Sequence, residues 1–121
     1  MSWTEGERTQ VEEGMRTHPI ESGKCAALAR LVAAVASGGG RTTSGHQVRP
    51  LTGRFIVPKH AAPPCWASHT FARTEDHEVD VLTTGTGTPR ALYLETHWEH
   101  ADFLTVVDVD LLQVDPGIQQ A

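Results

Sequence analysis

The strongest constraint on this chain is the run Lys24–Ala36, built almost entirely of helix formers and free of proline and glycine. Within it Cys25, Leu28, Ala29, Val32, Val35 and Ala36 recur at the 3, 4, 7 spacing of a single apolar stripe. That period predicts a helix buried along one face. Ser22 offers an N-cap oxygen. Ser37-Gly38-Gly39-Gly40 ends the helix, because glycine takes the left-handed conformation after the last turn without steric cost. Cys25 is thereby placed in the first turn, at the positive end of the helix dipole. A helix with one apolar stripe needs a second layer to bury it, and 121 residues give a single domain, 1–121, to supply that layer.

The remaining segments read as strands and loops around this helix. In 3–17, Val11 and Met15 stand four apart and predict a short surface helix, weakened by Gly6 and Gly14. His18-Pro19-Ile20 is read as extended or a turn, since proline disfavours the helical conformation for the residue before it. Residues 41–46 read as loop. One or two short strands are expected in 47–57, the second around Arg54–Val57, with 58–64 connecting. Ser68–Thr74 and Glu78–Thr83 are β-prone around a turn at Glu75-Asp76-His77, which makes a hairpin. Arg90–Trp98 fits either strand or helix, with Glu95–Asp102 helix-like, and Phe103–Val109 fits a strand. The fold class is therefore α+β: a Cys-bearing helix packed on a small antiparallel sheet.

Charge is divided along the chain. The first 74 residues carry nine basic and five acidic groups, the remainder one basic and ten acidic, for a net charge of −5. The basic residues are scattered singly, which argues against nucleic-acid binding; contact between the halves in the fold would partly cancel them. No apolar run approaches the roughly 20 residues of a membrane helix. The N-terminus lacks the basic-then-apolar order of a secretory signal, so a cytoplasmic protein or a delivered effector is expected. Reduced thiols follow for Cys25 and Cys65. No glycine-rich phosphate cradle is present and no cofactor is expected, since Thr84–Thr88 lacks the lysine and following helix.

Chemistry concentrates on Cys25, His69 and Asp80. A thiol is mostly protonated at neutral pH, but a helix N-terminus and a nearby imidazolium stabilise the thiolate. Histidine then serves as base and acid, and aspartate orients the ring. A hairpin turning near Asp76-His77 puts His69 and Asp80 close to diagonal from one another, and a turn nearer Thr74-Glu75 would put them directly opposite. The N–H of Cys25 at the helix start is a natural oxyanion donor. Thr17, His18 and Ser22 are candidates for a second. His77 competes with His69 as the base, and Trp66 reads as either a core or a cleft aromatic.

Three segments taken together, Ser22-Gly23-Lys24-Cys25-Ala26-Ala27-Leu28-Ala29, Ser68-His69-Thr70-Phe71-Ala72-Arg73 and Val79-Asp80-Val81-Leu82-Thr83, resemble the minimal papain-like core of transglutaminase-like proteins, bacterial papain-fold toxins and protein glutamine deamidases. The resemblance covers roughly 20–84, between a polar N-terminal segment and an acidic C-terminal portion at 85–121. It implies a nucleophilic Cys25, a general base His69, an orienting Asp80, and a protein or small amide as substrate. The chain departs from transglutaminase-like sequences at Ala26, where tryptophan is common near the cysteine, and at Val81, where proline often follows the aspartate.

Other readings compete. Cys25 serves equally well as an inert core hydrophobe. The chain would then be a binding or immunity module whose acidic half meets a basic partner. A zinc domain could draw on His60, Cys65 and His69, or on His97 and His100, three apart. Pro64-Cys65 also resembles part of a zinc-deaminase motif, whose second cysteine is absent here. His46 and His60 are expected in surface loops.

Overall fold

Thr4 starts the first helix with a reciprocal cap: its hydroxyl accepts from the Glu7 N–H at 3.1 Å, and the Glu7 carboxylate accepts from the Thr4 N–H at 2.8 Å. In the computed structural model, which describes residues 3–18, 24–59 and 66–113, α1 spans Glu5–Thr17 and α2 spans Cys25–Gly38. The strands are β1 (Thr43–Pro50), β2 (His69–Thr74), β3 (His77–Val79), β4 (Thr88–Pro89) and β5 (Leu104–Val109). A 3₁₀ turn at Arg90–Leu92 leads into the short helix α3 (Tyr93–His97). The molecule is α+β, with two helices packed on one five-stranded antiparallel sheet in the order β4-β3-β2-β1-β5.

Both faces of the sheet are covered, and the side-chain alternation of β2 shows it. Ala72 joins Val11, Leu28, Ala29, Val32 and Val79 under the two helices. Phe71 joins Val48, Ile56, Trp66, Tyr93 and Trp98 on the opposite face. Successive residues of a strand point to opposite faces, so a strand buried on both sides reads as a continuous run of burial. The α2 stripe is seated as expected: Leu28 and Ala29 are 1 % exposed, Val32 and Ala36 fully buried. Each fully buried Leu or Val contributes about 1.5–3 kcal/mol. The helix ends in Gly38-Gly39-Gly40, with Gly40 at φ 82°.

The helix expected over 3–17 forms as a surface helix whose inner points reach the core: Val11 is fully buried and Met15 packs against the same cluster, while most of α1 is exposed. Several segments differ from expectation. Residues 43–46 are strand, not loop, because β1 pairs with β2 on one side and β5 on the other. Gly45 permits that packing, since a Cβ there would stand 2.5 Å from Leu111 Cγ. The strand expected at Arg54–Val57 is reduced to isolated bridges, Ile56 to Trp66 and Pro58 to Trp98. The strand expected through Thr83 stops at Val79. Asp80 turns the chain there: its Oδ1 accepts the Leu82 N–H at 2.9 Å, and its carbonyl accepts the Thr83 N–H and hydroxyl. Ser22 lies outside the described residues, and Lys24 occupies the N-cap position of α2.

The two charge halves meet within the sheet. Arg73 and Glu78 face one another across β2 and β3 and form a two-pronged ion pair at 2.7 and 2.8 Å. His46, expected at the surface, is 4 % exposed, stacked on Phe71, and 3.1 Å from Asp108. Burial holds its imidazole below the ordinary range. No helix among the described residues is long and apolar enough to cross a membrane.

Candidate active site

Three elements meet at one end of the sheet: α2 begins there, β2 begins there and β3 stops there. That end brings Cys25, His69 and Asp80 together. Cys25 is present as a thiol, half-buried, at the first residue of α2. The first N–H groups of a helix have no intrahelical partner, and the first such bond in α2 runs from the Leu28 N–H to the Lys24 carbonyl. The Cys25 N–H thus belongs to the electropositive end of the helix.

His69 reaches the site from the other side of the sheet. It shares the face of Phe71 and is walled by two indoles, with ring centroids 5.0 Å from Trp66 and 5.5 Å from Trp98. It is 1 % exposed. Its Nε2 donates to Asp80 Oδ2 at 2.8 Å. That leaves Nδ1 as the ring nitrogen for Cys25, with which His69 also hydrogen-bonds. β2 and β3 pair only from Ala72 onward, so the backbone of Thr70 faces no β3 partner. Its N–H donates to the Cys25 sulfur instead.

Asp80 is held at both oxygens. Oδ1 accepts the Leu82 N–H, while Oδ2 accepts from His69 and from the Tyr93 hydroxyl. Asp80 is 2 % exposed and Tyr93 1 %.

The electrostatics follow from these contacts. Burial by itself would raise the Cys25 thiol, but the hydrogen bonds from His69 and from the Thr70 N–H outweigh it and hold the thiol below its ordinary range. Burial likewise opposes charge on His69. The hydrogen bonds to Asp80 and Cys25 prevail, and its imidazole is raised to about 10. Burial would lift the Asp80 carboxyl, yet the donors His69, Tyr93 and Leu82 keep it below the usual carboxylate range. Tyr93, buried beside a carboxylate, is raised well above its ordinary value. These directions favour a thiolate paired with an imidazolium, backed by a carboxylate.

The other candidates fall elsewhere. His77 is exposed at the opposite end of β3, facing Thr74. Thr17 donates to the Glu13 and Gly14 carbonyls, and His18 Nδ1 lies 2.9 Å from the Gly14 carbonyl, so both side chains serve the end of α1. His97 contacts Thr88 at 2.7 Å, and α3 ends at His97, so His100 is not on the same helix. His60 and Cys65 lie outside the described residues. Among the described residues no group of three or more His, Cys, Asp and Glu is placed to hold a metal ion.

Sequence reasoning did not single out Tyr93, Trp98 or the Thr70 N–H. Tyr93 had one available signal: it is the single tyrosine of the chain. A buried tyrosine needs a partner for its hydroxyl. No family model, no curated protein and no solved structure matches the chain.

Proposed function

We propose that this protein is a thiol-dependent acyl-transfer enzyme with a papain-like arrangement, in which Cys25 is the nucleophile, His69 the acid–base and Asp80 the orienting partner. The observation that carries the reading is the continuous contact from the Cys25 sulfur through His69 to Asp80, built from three separate elements. A core cysteine placed by packing alone needs no imidazole at its sulfur.

The chemistry proceeds from these groups. The Cys25 thiolate attacks an amide or ester carbonyl carbon, and the carbonyl electron pair moves to oxygen, where the Cys25 N–H donates to it. When the tetrahedral adduct collapses, the bond to the amine or alcohol breaks, and His69 delivers its proton to that leaving group. Water or an amine then attacks the thioester, giving its proton to His69, and the thiolate is restored. Asp80 remains ionised and holds the imidazole in register.

Alkylation with iodoacetamide near neutral pH, read by peptide mass spectrometry, tests the reading. Cys25 is expected to react much faster than Cys65 in the native protein, and His69→Gln to remove that advantage. Equal slow labelling of both cysteines overturns the proposal.

A further inference from the structure

Tyr93 stands outside the three residues to which roles have been assigned, yet its hydroxyl donates to the same Asp80 oxygen that holds His69. It comes from a different part of the chain, thirteen residues beyond Asp80 and on α3 rather than the β2–β3 hairpin. Its ring packs against Phe71, with centroids 4.8 Å apart, and against His97 at 5.3 Å. His97 is in turn tied to Thr88, and the Arg90 N–H just before α3 bonds to the Asp76 carbonyl. The phenol is therefore aimed by a packed and hydrogen-bonded support.

We propose that Tyr93 is a positioning residue that tunes the acidity of the Cys25–His69–Asp80 unit through the carboxylate oxygen it shares with His69. The inference rests on the reading of Cys25 as a reactive thiolate. Two donors on one oxygen divide its electron density. The phenolic hydrogen bond stabilises the Asp80 anion and keeps the carboxylate ionised to lower pH. Without that donor the carboxylate becomes more basic and takes up a proton at higher pH. The support for imidazolium, and with it the thiolate, is then lost at a higher pH than in the native protein.

The charged and titratable groups facing this network are Cys25 from α2, His69 from β2, Asp80 after β3, Glu78 from β3 and His97 on α3 itself. Glu78 is paired with Arg73. His97 stacks on the ring and approaches Thr88 rather than the hydroxyl.

The test is the pH dependence of iodoacetamide alkylation at Cys25, compared among native protein, Tyr93→Phe and protein grown with 3-fluorotyrosine. Because Tyr93 is the single tyrosine, the fluorinated protein is altered there alone. Tyr93→Phe keeps the ring and removes the donor, so the acidic limb is expected to move up by about half a unit. Fluorination makes the phenol a stronger donor and is expected to move the limb down. In the fluorinated protein the ¹⁹F signal should titrate with that limb and shift when Cys25 is alkylated. A rate reduced in the same proportion at every pH, with the limb unmoved and the fluorine signal indifferent to alkylation, overturns the proposal. Should native Cys25 show no limb below the ordinary thiol range, the enzyme reading fails first; a low native limb that Tyr93→Phe leaves in place removes the Tyr93 role alone.

Discussion

His69 and Asp80 meet at 2.8 Å along a diagonal of the β2–β3 hairpin rather than from opposite positions. The register pairs Ala72 with Val79 and Arg73 with Glu78, which continues to Phe71 opposite Asp80. His69 is two residues further along, on the same face as Phe71. The strand pairing ends just before Asp80, where the chain turns and the carboxylate is directed at His69, the first residue of β2. Cross-strand diagonals are within reach of long side chains, and a histidine and an aspartate together span the gap.

Asp80→Asn separates the charge from the geometry. The amide keeps the size of the side chain but no longer favours a cationic ring. Burial then keeps His69 neutral and the thiol loses its counterion. The acidic limb of Cys25 alkylation is expected to rise by about one unit or more, toward the ordinary thiol value near 8.5. An unmoved limb would show that Asp80 does not support the imidazolium.

Stability should carry the same signature. His69 is raised in the folded state, so its contribution is complete below its unfolded value, about 6.5, and fades as pH rises through about 10. Asp80 is lowered, so its contribution is complete above its unfolded value, about 3.9, and fades as pH falls through the folded one. The gap in unfolding free energy between native protein and Asp80→Asn is expected to be widest between about pH 4 and 6.5 and to narrow toward pH 10. Urea titrations across that range measure it.

Trp98→Ala removes a wall of the imidazole as well as core volume. Trp98 is fully buried, edge-on to Trp66 at 5.5 Å and 5.5 Å from His69. A loss of about 3–5 kcal/mol is expected in chemical denaturation. Cys25 alkylation should slow with it, because the ring that holds the proton becomes mobile.

Leu28→Ala tests whether the α2 face matters to stability alone. Leu28 is 1 % exposed under α1, one turn from Cys25. The expected cost is about 3 kcal/mol. The Cys25 limb should stay in place at temperatures where the variant remains folded, since neither His69 nor Asp80 is a member of the Leu28 cluster.

Thr4→Ala removes one half of the reciprocal cap at the start of α1. Thermal unfolding should report a loss of about 1 kcal/mol, with native reactivity at Cys25.

Much of this architecture was legible in local sequence, because local physics governs it. The α2 stripe, its glycine stop and the cysteine in its first turn follow from helical period and backbone sterics. The β2–β3 turn and the strand at 104–109 follow from residue preference and alternation. Long-range pairing was not legible. Thr43-Ser44-Gly45-His46 reads as loop by composition, and it is strand because neighbours on both sides satisfy its backbone. Asp80 sits in an alternating run that reads as strand to Thr83, yet its own carboxylate turns the chain.

The sequence by itself determined which groups exist at which local positions: a thiol at a helix start, an imidazole at the head of a strand, a carboxylate one hairpin later. Only the tertiary structure decided that they share one point. Cys25 arrives from the helix-covered face and His69 from the indole-lined face, and they meet where β3 falls short and leaves the Thr70 N–H to the sulfur. Tyr93 then closes the network from a helix of five residues. A contact of that kind depends on strand register and on packing across both faces of a sheet, and neither is written in the periodicity of any one segment.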